Sequence, residues 1–147
     1  MKILIGADHN GFEYKQQFVS LLTKAGHGVV DISTSPSPED DFPQFAGKVC
    51  TELLALNDPN VRGILVCGSG QGMCMAANRF KGIRASLCWN VEEARAARND
   101  DDSNVLCLSS RYVPLEENET IVNTWLTTAF AGAPRFMRRI QELDQLG

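Results

Sequence analysis

Apolar residues gather in short runs along the chain, and each run is followed by a longer stretch where they recur at helical spacing. Ile3-Leu4-Ile5 stops at Gly6, after which Phe12, Val19, Leu21 and Leu22 carry the pattern to Ala25-Gly26. This strand-then-helix unit recurs four more times. Gly28 to Ile32 precedes Phe45, Val49, Leu53, Leu54 and Leu56, and Gly63 to Val66 precedes Met73, Met75, Ala76, Ala77 and Phe80. Ile83 to Cys88 precedes the Ala-rich stretch Glu92 to Arg98, and Val105 to Leu108 precedes Ile121, Val122, Trp125 and Leu126. The pattern predicts an α/β fold: a single doubly wound, Rossmann-like αβα sandwich over residues 1–147, with a five-stranded parallel sheet and right-handed crossovers.

Sheets of this kind bind ligands beyond the carboxyl ends of their strands. The candidate positions are therefore Asp8-His9-Asn10, Ser33-Thr34-Ser35, Cys67 to Gly72, Cys88-Trp89-Asn90 and Ser109-Ser110-Arg111. Ser35 to Asp41 reads as a polar, mobile loop near that rim. After Gly132-Ala133-Pro134 a basic helix is expected over about 134–146, with no strand left to cross over to and so free to reach another surface. Phe136, Ile140 and Leu143 share one face of it, and Arg135 and Arg139 share another.

Composition narrows the function. A formal charge of −4 disfavours general binding to a phosphate backbone, so no nucleic-acid partner is expected. No window approaches a membrane span, and Asp8 comes too early for a secretory signal, which makes a cytoplasmic protein with no membrane partner the expectation. The five cysteines are odd in number and never spaced C-x-x-C, which argues against a disulfide framework and a zinc site.

The richest segment is Val66-Cys67-Gly68-Ser69-Gly70-Gln71-Gly72, a strand end running through alternating glycines into a helix. Its amides can converge on an anion or a developing oxyanion, or the glycines can simply make a tight turn. A dinucleotide site fits less well, because the next strand ends in Cys88-Trp89 without a ribose-binding acid. Cys67 stands just before the helix start, an environment expected to lower its pKa and make it a base or nucleophile, whereas Cys50, Cys74, Cys88 and Cys107 read as inert. A cysteine hydrolase would need a His partner, and only His9 and His27 exist. Asp8 and His9 can meet sugar hydroxyls or an anion, although Asp8 also suits a helix cap. The acidic run Arg98 to Asn104 is expected on the same rim, offering a carboxylate as acid or base. Arg111, Arg135 and Arg139 are the phosphate candidates. A response-regulator receiver would need Asp at Cys67 and Lys near Ser110, and both are missing.

Taken together, Gly6-Ala7-Asp8-His9 with Gly11-Phe12, Gly63 to Gly72, Ala76-Ala77-Asn78-Arg79, Gly82 to Ala85, Asn104-Val105-Leu106 and Ser110-Arg111 make the chain resemble the ribose-5-phosphate isomerase B and galactose-6-phosphate isomerase group, over nearly its whole length. The resemblance implies a cofactor-free, metal-free aldose–ketose isomerase, with ribose 5-phosphate and ribulose 5-phosphate as the first pair. Cys67 resembles the base that moves a proton between C1 and C2 through a cis-enediolate. Ser69 resembles the hydroxyl that moves the proton between O1 and O2. The amides of Gly68, Gly70, Gln71 and Gly72 would stabilise the enediolate oxygens. Asp8 and His9 would contact the sugar phosphate, and Arg111, Arg135 and Arg139 would bind its phosphate. The resemblance also implies a homodimer with shared active sites, and leaves open whether two dimers associate into a tetramer.

The chain departs from the family pattern in two places. Asp100-Asp101 stands where the family has a ring-opening His followed by Asn, so Asp100 is expected as the ring-opening acid, with Asp101 beside it at the substrate. Phe136 replaces a His after the first tail arginine. Alternatives are the same chemistry on a six-carbon or other sugar phosphate, and a non-catalytic sugar-phosphate-binding module.

Overall fold

A computed structural model describes residues 1–34 and 36–147; Ser35, among the candidate positions after the second strand, lies outside them. Five strands, β1 (Lys2–Ala7), β2 (Gly28–Asp31), β3 (Val61–Cys67), β4 (Ala85–Leu87) and β5 (Val105–Ser109), form one sheet in the order β2-β1-β3-β5-β4. All pairings are parallel, with Ala7 opposite Val66 and Cys67 opposite Ser109. Helices α1 (Phe12–Lys24), α2 (Phe42–Leu56), α3 (Gln71–Ala77), α4 (Val91–Asp101), α5 (Leu115–Thr127) and α6 (Pro134–Asp144) complete the described chain.

Side-chain alternation along the strands sorts the core into two layers. Ile3, Ile5, Ile64, Val66, Leu106 and Leu108 meet α1, α4 and α5 through Phe18, Leu22, Ala94, Ile121 and Trp125. Leu4, Leu65, Cys67, Val105 and Cys107 meet α2 and α3 through Phe45, Val49, Leu53, Met73 and Ala77. Cys67 therefore ends a strand on the α2/α3 face. The expected strand Ile83 to Cys88 shortens to Ala85–Leu87. Before it, the Asn104 side chain takes the Arg84 amide at 2.8 Å, occupying a group a longer strand would use.

Helix α4 starts with a reciprocal cap: Asn90 accepts from the Glu93 amide at 2.9 Å, and Glu93 accepts from the Trp89 amide at 3.1 Å. It then runs antiparallel to the sheet and ends at Asp102, whose left-handed φ of 48° turns the chain into β5. The acidic segment is thus mostly helix, and it ends at the amino edge of the strands, where Asn104 donates to Arg84 O and accepts from Gly63 N. This corrects the expectation that it lies on the carboxyl rim. The crossover geometry decides the matter, because a helix leaving one edge returns the chain to the other.

Helix α6 is not loose. It packs on α4 of its own chain, with Phe136 buried and Ala131 N donating to Asn99 O at 3.0 Å just before it. Arg135 stacks 4.4 Å above the Phe136 ring, while Leu143 and Leu146 remain exposed. No helix among the described residues is long and apolar enough to cross a membrane.

Candidate active site

At the carboxyl edge, the β3 end, the β5 end and the start of α1 are stitched into one wall. Ser110 N donates to Cys67 O at 3.0 Å, Arg111 N to Gly68 O at 2.9 Å, Ser109 Oγ to Gly68 O at 2.8 Å and Ser110 Oγ to Asn10 O at 2.8 Å. Buried Asn118 on α5 holds the Ser109 carbonyl at 2.9 Å. Neither Asn118 nor this role for Ser109 stands out in the sequence, since both side chains serve only backbone groups. The Arg111 guanidinium packs on Gly68, its Nη2 standing 3.3 Å from where a Cβ would be.

Within this wall Cys67 is 5% exposed, and its Sγ accepts from the Gly70 amide at 3.2 Å. Burial pushes the thiol up, the Asp8 charge pushes it further, and hydrogen bonds from the Met73, Gly70 and Ser69 amides only partly oppose them. The expected lowering by the helix start is therefore reversed, because desolvation of the thiolate outweighs the amides. The cradle also differs from expectation: the Gly70 amide is directed at the sulfur, and the Gln71 amide at Ser69 Oγ at 3.2 Å. A Cβ at Gly72 would stand 2.7 Å from the Phe42 ring. Cys74 also departs from the inert reading. It is half-buried, and a hydrogen bond from Cys107 brings its thiol down to about 7 against the cost of burial.

Asp8 follows β1, and its Oδ1 accepts from the Asn10 and Gly11 amides at 3.0 and 3.1 Å, so it does cap the turn into α1. Burial raises its pKa. His9, beside it, has a partner that the sequence does not announce. Asp40 Oδ1 lies 2.6 Å from His9 Nδ1 and accepts the His9 amide at 3.0 Å. The Asp40 hydrogen bond raises the His9 pKa; burial opposes the lowering of Asp40, which the bonds from His9 nonetheless achieve.

At the other edge Asp100 and Asp101 end α4, with Arg139 of α6 close enough to act on Asp101. Asp101 feels Arg139 and Arg84, with burial and Asp100 raising its pKa against their pull. Asn99 Nδ2 donates to Asp100 Oδ1 at 2.8 Å. The structure thus brings Cys67, Ser69, Gly68, Gly70, Gln71, Gly72, Asp8, His9 and Arg111 together at one edge. Asp100, Asp101 and Arg139 group at the opposite edge, and Arg135 begins α6, which packs on α4. Among the described residues no cluster of His, Cys, Asp or Glu is arranged to hold a metal ion.

The model of the Ribose/Galactose Isomerase family matches residues 3–143. The chain belongs to this family. It is 42% identical over 142 residues to a probable ribose-5-phosphate isomerase B of Mycoplasma pneumoniae, covering 96% of this chain and 91% of that one. A ribose 5-phosphate isomerase structure from Thermotoga maritima superposes with a TM-score of 0.93 at 40% identity, covering 99% of this chain and 98% of the other. The Mycoplasma genitalium enzyme, solved with bound ribulose 5-phosphate, gives 0.92 at 38% identity, covering 98% and 94%.

The carboxyl edge holds Cys67, Ser69 and Arg111, while Arg135 and Arg139 are carried by α6, which packs on α4.

Proposed function

We propose that the chain interconverts ribose 5-phosphate and ribulose 5-phosphate through a cis-enediolate, as a cytoplasmic homodimer whose two sites each draw on both subunits. The observation that carries the reading is the nearly buried Cys67 sulfur, held by the Gly70 amide next to Ser69. In the aldose-to-ketose direction the sulfur takes the proton from C2 as the C1 carbonyl becomes an enediolate, and returns it to C1. Ser69 Oγ moves the hydroxyl proton between the two oxygens. Amide hydrogen bonds favour the thiolate, and a nearly dry site strengthens its attack on the C–H bond. Arg111 binds phosphate from its own edge, and Arg135 and Arg139 of a second copy close the site from the other side.

Incubation with ribulose 5-phosphate in D2O, followed by NMR, tests the reading. Deuterium should enter C1 with the intact chain, and Cys67→Ala should lose at least about a thousandfold of that rate with the fold unchanged. An alanine variant within a few fold of the parent overturns the assignment of the base.

A further inference from the structure

We propose that His9, oriented by Asp40, opens the sugar ring ahead of the isomerisation that Cys67 performs. The inference rests on the isomerase reading above. An aldopentose 5-phosphate exists in water almost entirely as a cyclic hemiacetal, and C1 becomes a carbonyl only after the bond from C1 to the ring oxygen breaks. Some group must therefore take a proton from the anomeric hydroxyl and give one to the ring oxygen. An imidazole does both near neutral pH.

The chain has only two histidines. His27 follows α1 at the amino edge of the sheet, where Gly28 N donates to Met1 O. His9 follows β1 at the same edge as Cys67. Its neighbours at that edge are committed elsewhere: Asp8 Oδ1 serves two amides, and Cys67 is the carbon base. The His9 ring is 35% exposed whereas its partner carboxylate is only 8% exposed, so the pair has one anchored side and one open side. Asp40 grips the imidazole and the backbone of His9 with one oxygen and takes the Ser37 amide at 3.3 Å with the other. A carboxylate only accepts, so the neutral ring carries its proton on Nδ1 and keeps a lone pair on Nε2. Among the described residues Nε2 has no hydrogen-bond partner.

The step balances with this one group. Neutral Nε2 takes the proton of the anomeric hydroxyl, and Asp40 stabilises the imidazolium so formed. That proton then passes to the ring oxygen as its bond to C1 breaks and the second C1–O bond becomes a carbonyl. Both oxygens are bonded to the same carbon, so a single nitrogen reaches them in turn. His9 ends neutral, and no proton is gained or lost. The charged groups facing the ring are Asp40 and Asp8, both of which favour its protonated form.

The test compares two rates. Ribulose 5-phosphate cannot close a furanose, because its C5 oxygen carries the phosphate, so deuterium exchange at its C1 needs Cys67 but no ring opening. Consumption of ribose 5-phosphate needs both. For His9→Gln the ratio of ribose 5-phosphate turnover to C1 exchange should fall at least a hundredfold, and further than it falls in Asp100→Asn. A ratio unchanged in His9→Gln overturns the proposal, as does a larger fall in Asp100→Asn than in His9→Gln. Absence of C1 exchange in the parent chain overturns the isomerase reading itself, a distinguishable failure. Asp40 is a positioning residue and is read by pH. The ratio cancels the ionisation of Cys67, which both rates share, and should rise with pH as His9 loses its proton. In Asp40→Asn that rise should move to lower pH, with a plateau at least tenfold lower. A midpoint that stays in place would make Asp40 merely structural and overturn its assigned role.

Discussion

At Gly11 a Cβ would stand 2.3 Å from the Val66 carbonyl oxygen, and at Gly70, with φ +77°, it would meet Leu87 Cδ1 at 2.4 Å. Neither contact can relax by moving a side chain alone, because the first is with backbone and the second adds a left-handed conformation. Gly11→Ala and Gly70→Ala should each lose roughly 2 kcal/mol or more of unfolding free energy in urea titrations. Thiol chemistry separates two other residues. Iodoacetamide at pH 7.5 should label Cys74, poised at about 7, well before Cys67, whose thiol burial holds above its ordinary 9.0. Mass spectrometry after a short pulse checks the order. For the same reason C1 exchange should climb with pH beyond 9, and the Cys67 labelling profile in Asp8→Asn should shift to lower pH as the nearby negative charge is removed. The His9–Asp40 pair has its own window. A raised His9 contributes fully below its ordinary 6.5 and loses that contribution as pH climbs through its folded pKa. A lowered Asp40 contributes fully above 3.8 and loses that contribution as pH falls through its folded pKa. Amide-exchange protection at His9 should therefore be greatest between those two values.

Among the elements, the segment joining β2 to α2 is anchored at its base by a buried cation. Lys15 on α1 is fully buried, with Nζ 2.8 Å from Asp31 Oδ2, donating to the Ser33 carbonyl, and 4.4 Å above the Phe12 ring. Ser33 Oγ in turn accepts the Ala7 amide at 2.8 Å, next to Asp8. Removing the cation leaves Asp31 partly buried and unpaired, so Lys15→Met should cost about 3 kcal/mol in thermal or urea unfolding and slow ribose 5-phosphate turnover by loosening Asp40. The strands and helices around this segment were legible because buried parallel strands leave continuous apolar runs and amphipathic helices leave a 3.6-residue period. Asp40 was not legible. It lies 31 residues from His9, in a polar run with no period, and only the parallel pairing of β2 beside β1 brings the two together. The same limit explains the misplaced acidic segment: its composition signals a turn, but the edge at which it emerges is a property of the crossover. The reversed Cys67 shift has a third cause, since the sequence places amides near the sulfur but does not weigh them against its burial.

Across the whole molecule the carboxyl edge and the α4/α6 corner point apart, and exposed Met75, Met137, Leu143 and Leu146 leave apolar surface uncovered. Sedimentation should find dimers or larger assemblies, and mixing should reveal shared sites. Cys67→Ala and an Arg135→Ala, Arg139→Ala double variant should each be inactive alone. After unfolding and refolding together they should recover about a quarter of the parent activity, since half of the dimers are mixed and each mixed dimer keeps one intact site. No recovery would mean that the tail arginines do not cross to a neighbour. Because the docking of Phe136 and the α4 cap satisfy the tail within its own chain, a lone subunit should stay folded. Thinning the protein out in solution should then silence turnover long before any helix melts, making abundance itself a dial on activity.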